Sequence, residues 1–578
     1  MTYRLIIVRL RQACLVFYRT ARIRRSTILA LCCIAGCTSG KPKPAESVDA
    51  DVVPQYAFHE LGGQTTILPA YENGESGRAY SIVESLGGGC GVLDFDRDGR
   101  WDIWLPGGGL LDGAAETITG LPSALFRSLS PGGEFVDASA GARIDALDYY
   151  THGCSVADVD SDGFPDVLVS GYGGLQFFHN QGDGTFRECA QSIGLTDRQW
   201  STSTGFADFN GDGHVDLYVT HYVDWSWENN PRCRSAPPDP LEDVCTPSRF
   251  TGLNDTLYLS NGDGTFVDAS ETVGLVPEGK GLGVIIADLD HDADVDIYVA
   301  NDTTENFLYL NDSQAQFEEV GLVSGTSLDH RGTPNGSMGL AVLDYDGDLL
   351  PDIWVTNYEN ETFSMYRNMQ HGNFLCVTES TGITALGTLY VGFGTSAADI
   401  DLDGDEDIIV SNGHVQQHPG SSTVAQQALL LLNDGRGRLI RKQLPSSEYF
   451  STQHRGRAVV SVDFNHDGML DLLFRHVASP PAILLNQSER QGNWLTMQLV
   501  GKTSNRDAIG AWVELKAGDR SLIRHVVGGG GYLSQAPYTL HWGLADAETA
   551  SASVHWPDGQ VQEVDALTVN NSHLVIQP

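Results

Sequence analysis

Apolar runs alternate with short acidic loops along this chain, and the regularity of that alternation predicts its architecture. One phrase recurs: an apolar stretch, then D-x-D/N-x-D-G-x-x-D, then a β-branched or aromatic run. The first three copies are LDFDRDGRWDIWL (Asp94, Asp96, Asp98, Asp102), ADVDSDGFPDVLV (Asp158, Asp160, Asp162, Asp166) and ADFNGDGHVDLYV (Asp208, Asn210, Asp212, Asp216). ADLDHDADVDIYV (Asp288, Asp290, Asp292, Asp296) and LDYDGDLLPDIWV (Asp344, Asp346, Asp348, Asp352) follow. The last two are ADIDLDGDEDIIV (Asp399, Asp401, Asp403, Asp407) and VDFNHDGMLDLLF (Asp463, Asn465, Asp467, Asp471). Runs such as DLYV enter strands. Beyond each loop lies a second apolar pair around a turn signal, clearest in LQFFHNQGDGTFREC and LYLSNGDGTFVDAS. Each repeat therefore supplies four strands, one propeller blade.

The predicted fold is all-β: a seven-bladed β-propeller with calcium loops, followed by a small β-sandwich-like C-terminal domain. The segment YAFHELGGQTTI resembles the outer-strand phrase FVDASETVGL and is predicted to pair into the last blade, closing the ring. After residue 490 the pattern becomes strict alternation, as in AWVELKA and SLIRHVV, which predicts the second β unit. The chain divides into a leader (1–37), a polar tether (38–53), the propeller (54–489) and the C-terminal domain (490–578).

The acid spacing has a chemical reason. Calcium takes six to eight hard oxygens at roughly 2.3–2.6 Å, and carboxylates at loop positions 1, 3 and 5 converge when the chain curls. A glycine at position 6 permits the sharp turn. An EF-hand closes with a glutamate at position 12 on a helix. Here an aspartate closes at position 9 on a strand, so the EF-hand is rejected. Up to seven structural calcium ions are expected, bound at about 10⁻⁴–10⁻³ M as in extracellular modules. Ala293 and Leu349 replace the loop glycine in copies four and five. Those two sites are expected to bind less tightly or to use a different turn.

Charge and cysteines place the protein. The formal charge is -40, and 28 basic residues face 75 acidic ones once the seven arginines of the first 36 residues are set apart. Such a surface repels nucleic acid and anionic lipid. The leader ends its short apolar stretch in Ile34-Ala35-Gly36-Cys37, which resembles the bacterial lipobox. Cys37 is thus the expected lipid attachment point, and the expected location is extracytoplasmic, at the outer membrane or cell surface, with secretion as the alternative. Contact with membrane is expected only through that anchor. Cys233 and Cys245 bracket a proline-rich insertion and form the expected disulfide.

The aspartate loops with their NGDGTF hairpins resemble FG-GAP/VCBS repeats, the blades of integrin α-subunit propellers. The tail NRDAIGAWVELKAGDRSLIRHVVGGGGYLSQAPYTLHWGL resembles the ASPIC/UnbV domain. Together they are similar to the bacterial relatives of cartilage acidic protein. The resemblance implies calcium at the loop aspartates and an adhesive or matrix-associated role.

Equivalent, self-contained loops read as scaffold, so ligands are expected at the opposite mouth. The turns there carry His221, Tyr222, Asn301, Asp302, Asn357, Glu359, Asn412, His414 and His476. The turns before the first strands add His152, Trp200, His330, Arg331, His454 and Arg455, and Trp225 and Trp227 stand ready to stack. This ring is expected to bind a glycan or a protein. An extracytoplasmic lyase or hydrolase using the same rim, and a purely structural envelope component, are the competing readings. No G-x-S-x-G or H-E-x-x-H motif occurs, and Gly528–Gly531 lacks a phosphate-loop lysine and reads as a turn or bulge.

Overall fold

A computed structural model describes residues 56–61, 68–145, 149–235, 240–445 and 447–578. The expected leader, its Cys37 and the tether lie outside these residues. Each aspartate loop joins the first two strands of one antiparallel sheet, so the described residues contain seven such sheets. Blade three shows the plan: Ser201–Ala207 runs into the loop, Asp216–His221 returns, and Thr256–Ser260 and Phe266–Asp268 follow outward. The first and second strands are buried at nearly every position, and throughout in blades one, three and four, which suits their continuous apolar runs.

The ring closes through both packing and pairing. One apolar cluster joins blades one and two through Trp104, Leu125, Val167 and Phe178. Further clusters join each blade to the next, and the last unites Leu473 and Ile483 of blade seven with Ile103 and Phe126 of blade one. Phe58–Glu60 supplies the fourth strand of blade seven, pairing Phe58 with Asn486 and Glu60 with Leu484.

The C-terminal region forms a three-stranded and a four-stranded sheet. Residues of both sheets, including Leu495, Val513 and Trp542, share one continuous core with blades two to four. Gly528–Gly529 is a short strand where the sequence suggests a turn or bulge. It adds a fifth strand to blade four, pairing with Ile286 and Ile285 along the innermost strand. Gly531 then exchanges two backbone hydrogen bonds with Leu340 of blade five. Glycine is required here because a Cβ at Gly528 would lie 2.3 Å from the Phe206 carbonyl oxygen. The segment runs on to Gln535, whose backbone bonds Cys90 and Val92 of blade one, so it plugs the axial channel. Tyr532 and Leu533 are buried at its tip.

Candidate functional site: the aspartate loops and the opposite mouth

Six of the seven loops share one hydrogen-bond scheme at position 1. There the aspartate accepts from the backbone at positions 5 and 6, as Asp94 does from Asp98 (3.0 Å) and Gly99 (2.9 Å). In copy two the Asp162 N–H turns instead to Asp160, leaving Asp158 only the Gly163 N–H of its loop. The position-9 aspartate accepts twice in all seven copies, at 2.7–3.2 Å. One bond comes from loop position 2 and the other from the end of the third strand, so this buried carboxylate ties three segments together. Ala293 and Leu349 keep the glycine turn at φ of +78° and +66°, with their N–H groups on Asp288 and Asp344. The different turn anticipated for copies four and five is therefore not used; the strain is borne, at a cost of about 1 kcal/mol each.

The loops gather oxygens that have no protein partner. Asp96, Asp290, Asp346 and Asp401 at position 3, and Asp158 at position 1, each bury a carboxylate oxygen without a hydrogen bond. Asp94, Asp96 and Asp102 bring oxygens within 4.8 Å of one another, as do Asp288, Asp290 and Asp296. Burial, reinforced by neighbouring loop carboxylates, pushes Asp216, Asp399 and Asp471 up to about 8. Converging, desolvated, partnerless oxygens fit a hard cation.

The copies differ at the third-strand residue facing the loop. Arg127 bridges Asp96 (2.5 Å) and Asp98 (2.9 Å) in copy one, and Arg367 bridges Asp346 (2.7 Å) and Asp348 (2.9 Å) in copy five. His179 contacts Asp166 at 3.0 Å in copy two. Copies three, four, six and seven carry Leu259, Leu310, Leu432 and Leu485 there.

The residue after it has a role the sequence reading missed. Asn180, Asn311, Asn368, Asn433 and Asn486 each donate from the side-chain amide to the position-2 carbonyl of the preceding blade's loop, at 2.7–3.1 Å. The signal was present as the final Asn of FFHN, FLYLN, SMYRN, LLLLN and AILLN. Ser128 and Ser260 occupy the position in blades one and three.

The C-terminal domain docks on this loop face. Arg506 reaches Asp158 (3.0 Å), and Asp507 accepts from the Asp158 N–H (2.7 Å). Arg520 pairs with Asp405 (2.6 Å), and the Gly543 N–H donates to Asp399 (2.9 Å). Asn505-Arg506-Asp507 thus sits at the contact between domain and loop two.

At the opposite mouth, the expected ring of free polar groups is largely internal. Asn301, Asn357 and Asn412 are buried, and their side chains hold the following turn. His221 is buried against Asp197, and His476 lies between Tyr449 and the Pro480 carbonyl. His414 accepts from the Gln416 N–H and faces Glu359 at 3.5 Å. His152 accepts from the Trp200 indole at 2.7 Å. His454 bonds the Tyr449 carbonyl and Thr452, Arg455 pairs with Glu75, and Trp225 is buried. Only His330 and Arg331 stay exposed, and Arg331 pairs with Asp329. The physical reason is a cover. The segment Tyr71–Leu86, through Tyr71, Ala79, Ile82, Val83 and Leu86, and the insertion joined by the Cys233–Cys245 disulfide pack over the mouth, with Tyr532 and Leu533 beneath. Asp243 of that insertion accepts from the Gln417 and His418 N–H groups of blade six, both at 2.9 Å.

One concavity remains under the cover's edge, with a volume of about 290 Å³. Leu282, Met338 and Phe393 line its apolar side, while Tyr222, Tyr358, Asp302 and Glu361 bring polar groups. Tyr222 donates to Asp302 at 2.6 Å. Burial raises Asp302 to about 6 and Glu361 to about 7. No basic side chain lines it.

Comparison with known proteins follows the same two-part division. The profile of the FG-GAP-like repeat matches residues 125–219, 244–299, 288–355 and 344–410, and that of ASPIC and UnbV matches 501–578. Cartilage acidic protein 1 of Mus musculus is 25% identical over 476 residues, covering 71% of each chain. The Xenopus tropicalis protein of the same name is 24% identical over 510 residues, covering 82% of this chain and 70% of its own. Among solved structures, an Agrocybe aegerita lectin that recognises non-reducing terminal N-acetylglucosamine aligns at a TM-score of 0.38 and 17% identity. That alignment covers 62% of this chain and 81% of the lectin.

Proposed function

For a chain of FG-GAP-like repeats ending in an ASPIC/UnbV domain and homologous to cartilage acidic protein 1, we propose the role of an exported binding or adhesion module. Its ligand is a glycan or a protein, seated at the concavity opposite the loops. The observation that carries this reading is positional: the C-terminal domain docks on the loop face, and the mouth keeps a pocket lined by aromatic and hydrogen-bonding groups. The loop carboxylates would hold calcium, and the bound ion would supply charge neutralisation where partnerless oxygens converge. Cys37 would carry the lipid anchor, and the Cys233–Cys245 disulfide supports an oxidising compartment. Labelling with a palmitate analogue, compared with Cys37→Ser, tests the anchor.

The binding claim is tested on glycan and matrix-protein arrays with the intact chain, Tyr358→Ala and Glu361→Gln. Captured ligands should be lost in the pocket variants, while unchanged binding would remove the pocket from the reading. Asp302 and Glu361 favour a second reading, because two raised carboxyl groups in one pocket can serve as acid and base. Turnover of an array-identified polysaccharide, abolished by Glu361→Gln, would establish a lyase or hydrolase instead.

A further inference from the structure

Blade seven buries two guanidinium groups that no carboxylate in the described residues meets. Arg457 lies on its first strand and Arg475 on its second, at a register break between the Gly456–His476 and Val459–Phe474 pairs. Such a break re-aims side chains, here toward the axial channel. Both residues are fully buried. Their side chains run together past Gly88, where a Cβ would stand 2.9 Å from the Arg457 Cβ and 3.9 Å from the Arg475 Cγ.

The two are unequally satisfied. Arg457 donates to the carbonyls of Gly413, Gly456 and Ser85, and its guanidinium lies 4.2 Å from the Phe393 ring centroid. Among the described residues Arg475 donates only to Pro106, at 3.0 Å, and its guanidinium lies 5.9 Å from the Tyr71 ring centroid. Its Nε and Nη1, with Nε of Arg457, are buried without a partner. Neighbouring acids do not pair with them: Glu75 pairs with Arg455, and Glu84 accepts from the Ser81 N–H through one oxygen while its other oxygen is buried without a partner. Burial without a counter-ion pulls both arginines down to about 10. A buried charge is normally paired, and unpaired guanidinium donors are rare in native interiors.

We propose that Arg475, with Arg457 beside it, holds a small monovalent anion of the halide class at the inner mouth of the channel. Arg457 already spreads its charge over three carbonyls and an aromatic face, so the anion sits mainly on Nε and Nη1 of Arg475. A single negative charge completes the donors. The chain carries a formal charge of -40, so general attraction would not retain an anion, and occupancy reports these local donors. The site adjoins the ligand pocket through Ser85 and Phe393, which contact Arg457, but Arg475 does not line that pocket, and the site does not depend on the calcium reading.

Bromide is the probe. Crystals of the full chain soaked in sodium bromide should give an anomalous peak within hydrogen-bond reach of Arg475 Nε and Nη1. In solution, the melting temperature should rise to saturation with chloride or bromide over gluconate at matched ionic strength, and Arg475→Met should abolish the difference. Water without anomalous signal at this position, or equal stability in halide and gluconate, overturns the site. The wild-type measurements decide the matter even if Arg475→Met fails to fold.

Discussion

Asn368→Ala would remove the tie between blades five and four. The side-chain amide donates to the Leu289 carbonyl at 2.7 Å and the Pro351 carbonyl at 3.0 Å, and its oxygen accepts from the Gln370 N–H at 2.8 Å. The residue is 1% exposed, so water cannot replace these bonds without rearrangement. Each net bond contributes about 1 kcal/mol, and an abandoned buried carbonyl costs a further 1–3 kcal/mol or so. The expected loss is about 3–4 kcal/mol. Spread over a cooperative unit of this size, with unfolding entropy on the order of 1 kcal/mol per kelvin, it lowers the melting temperature by about 3–4 °C. Thermal unfolding in saturating calcium, followed by tryptophan fluorescence, is the assay. Hydrogen exchange localises the change, with loop four losing protection first. Ser260→Ala in blade three, which has no such inter-blade bond, is the control and should cost less. A loss below about 1 kcal/mol for Asn368→Ala, or equal losses in the two variants, would refute the tie.

Three further outcomes follow from the geometry. Chelation should lower the melting temperature, and Asp216→Ala should cut bound calcium by about one ion per chain; unchanged stability on chelation would end the stapling account. Arg367→Leu should widen the gap between calcium-loaded and chelated stability, because the guanidinium already partly neutralises Asp346 and Asp348; an unchanged gap would make the arginine a bystander. Burial lowers His152 to about 3 and His476 to about 4, so both are neutral when folded and protonate on unfolding below the ordinary imidazole value of 6.5. The unfolded state then binds more protons, so stability falls as pH drops below 6.5, by about 1.4 kcal/mol per pH unit for each histidine. His476→Asn, the residue that blades four to six use at this position, should reduce that acid loss in calcium-saturated unfolding curves. An identical acid slope would contradict the assignment.

The blade plan was legible because it rests on local pattern. Loop spacing, hairpin glycines and the closing strand at Phe58 are each written in a short segment. The mouth was not legible. Whether Trp200 or Tyr222 faces solvent depends on distant chain, namely Tyr71–Leu86 and the disulfide-joined insertion, and no local period records that packing. The glycine run was misread for the same reason, since its neighbours Phe206 and Ile286 lie hundreds of residues away. Arg127 and Arg367 could have been found by aligning third strands with loops, because leucine is the usual residue there.

The pairing of Phe58 with Asn486 also sets an order of assembly. At about 5–20 residues per second, roughly 430 residues must be synthesised after the first strand before its partner exists, a wait of about 20–90 s. Throughout that interval the incomplete ring has two open edges and an unfilled axis, the surfaces on which strands from other chains can add. Because the plugging segment comes later still, the axis stays unfilled, and blades one, four and five lack their backbone bonds to it, until the final domain is made.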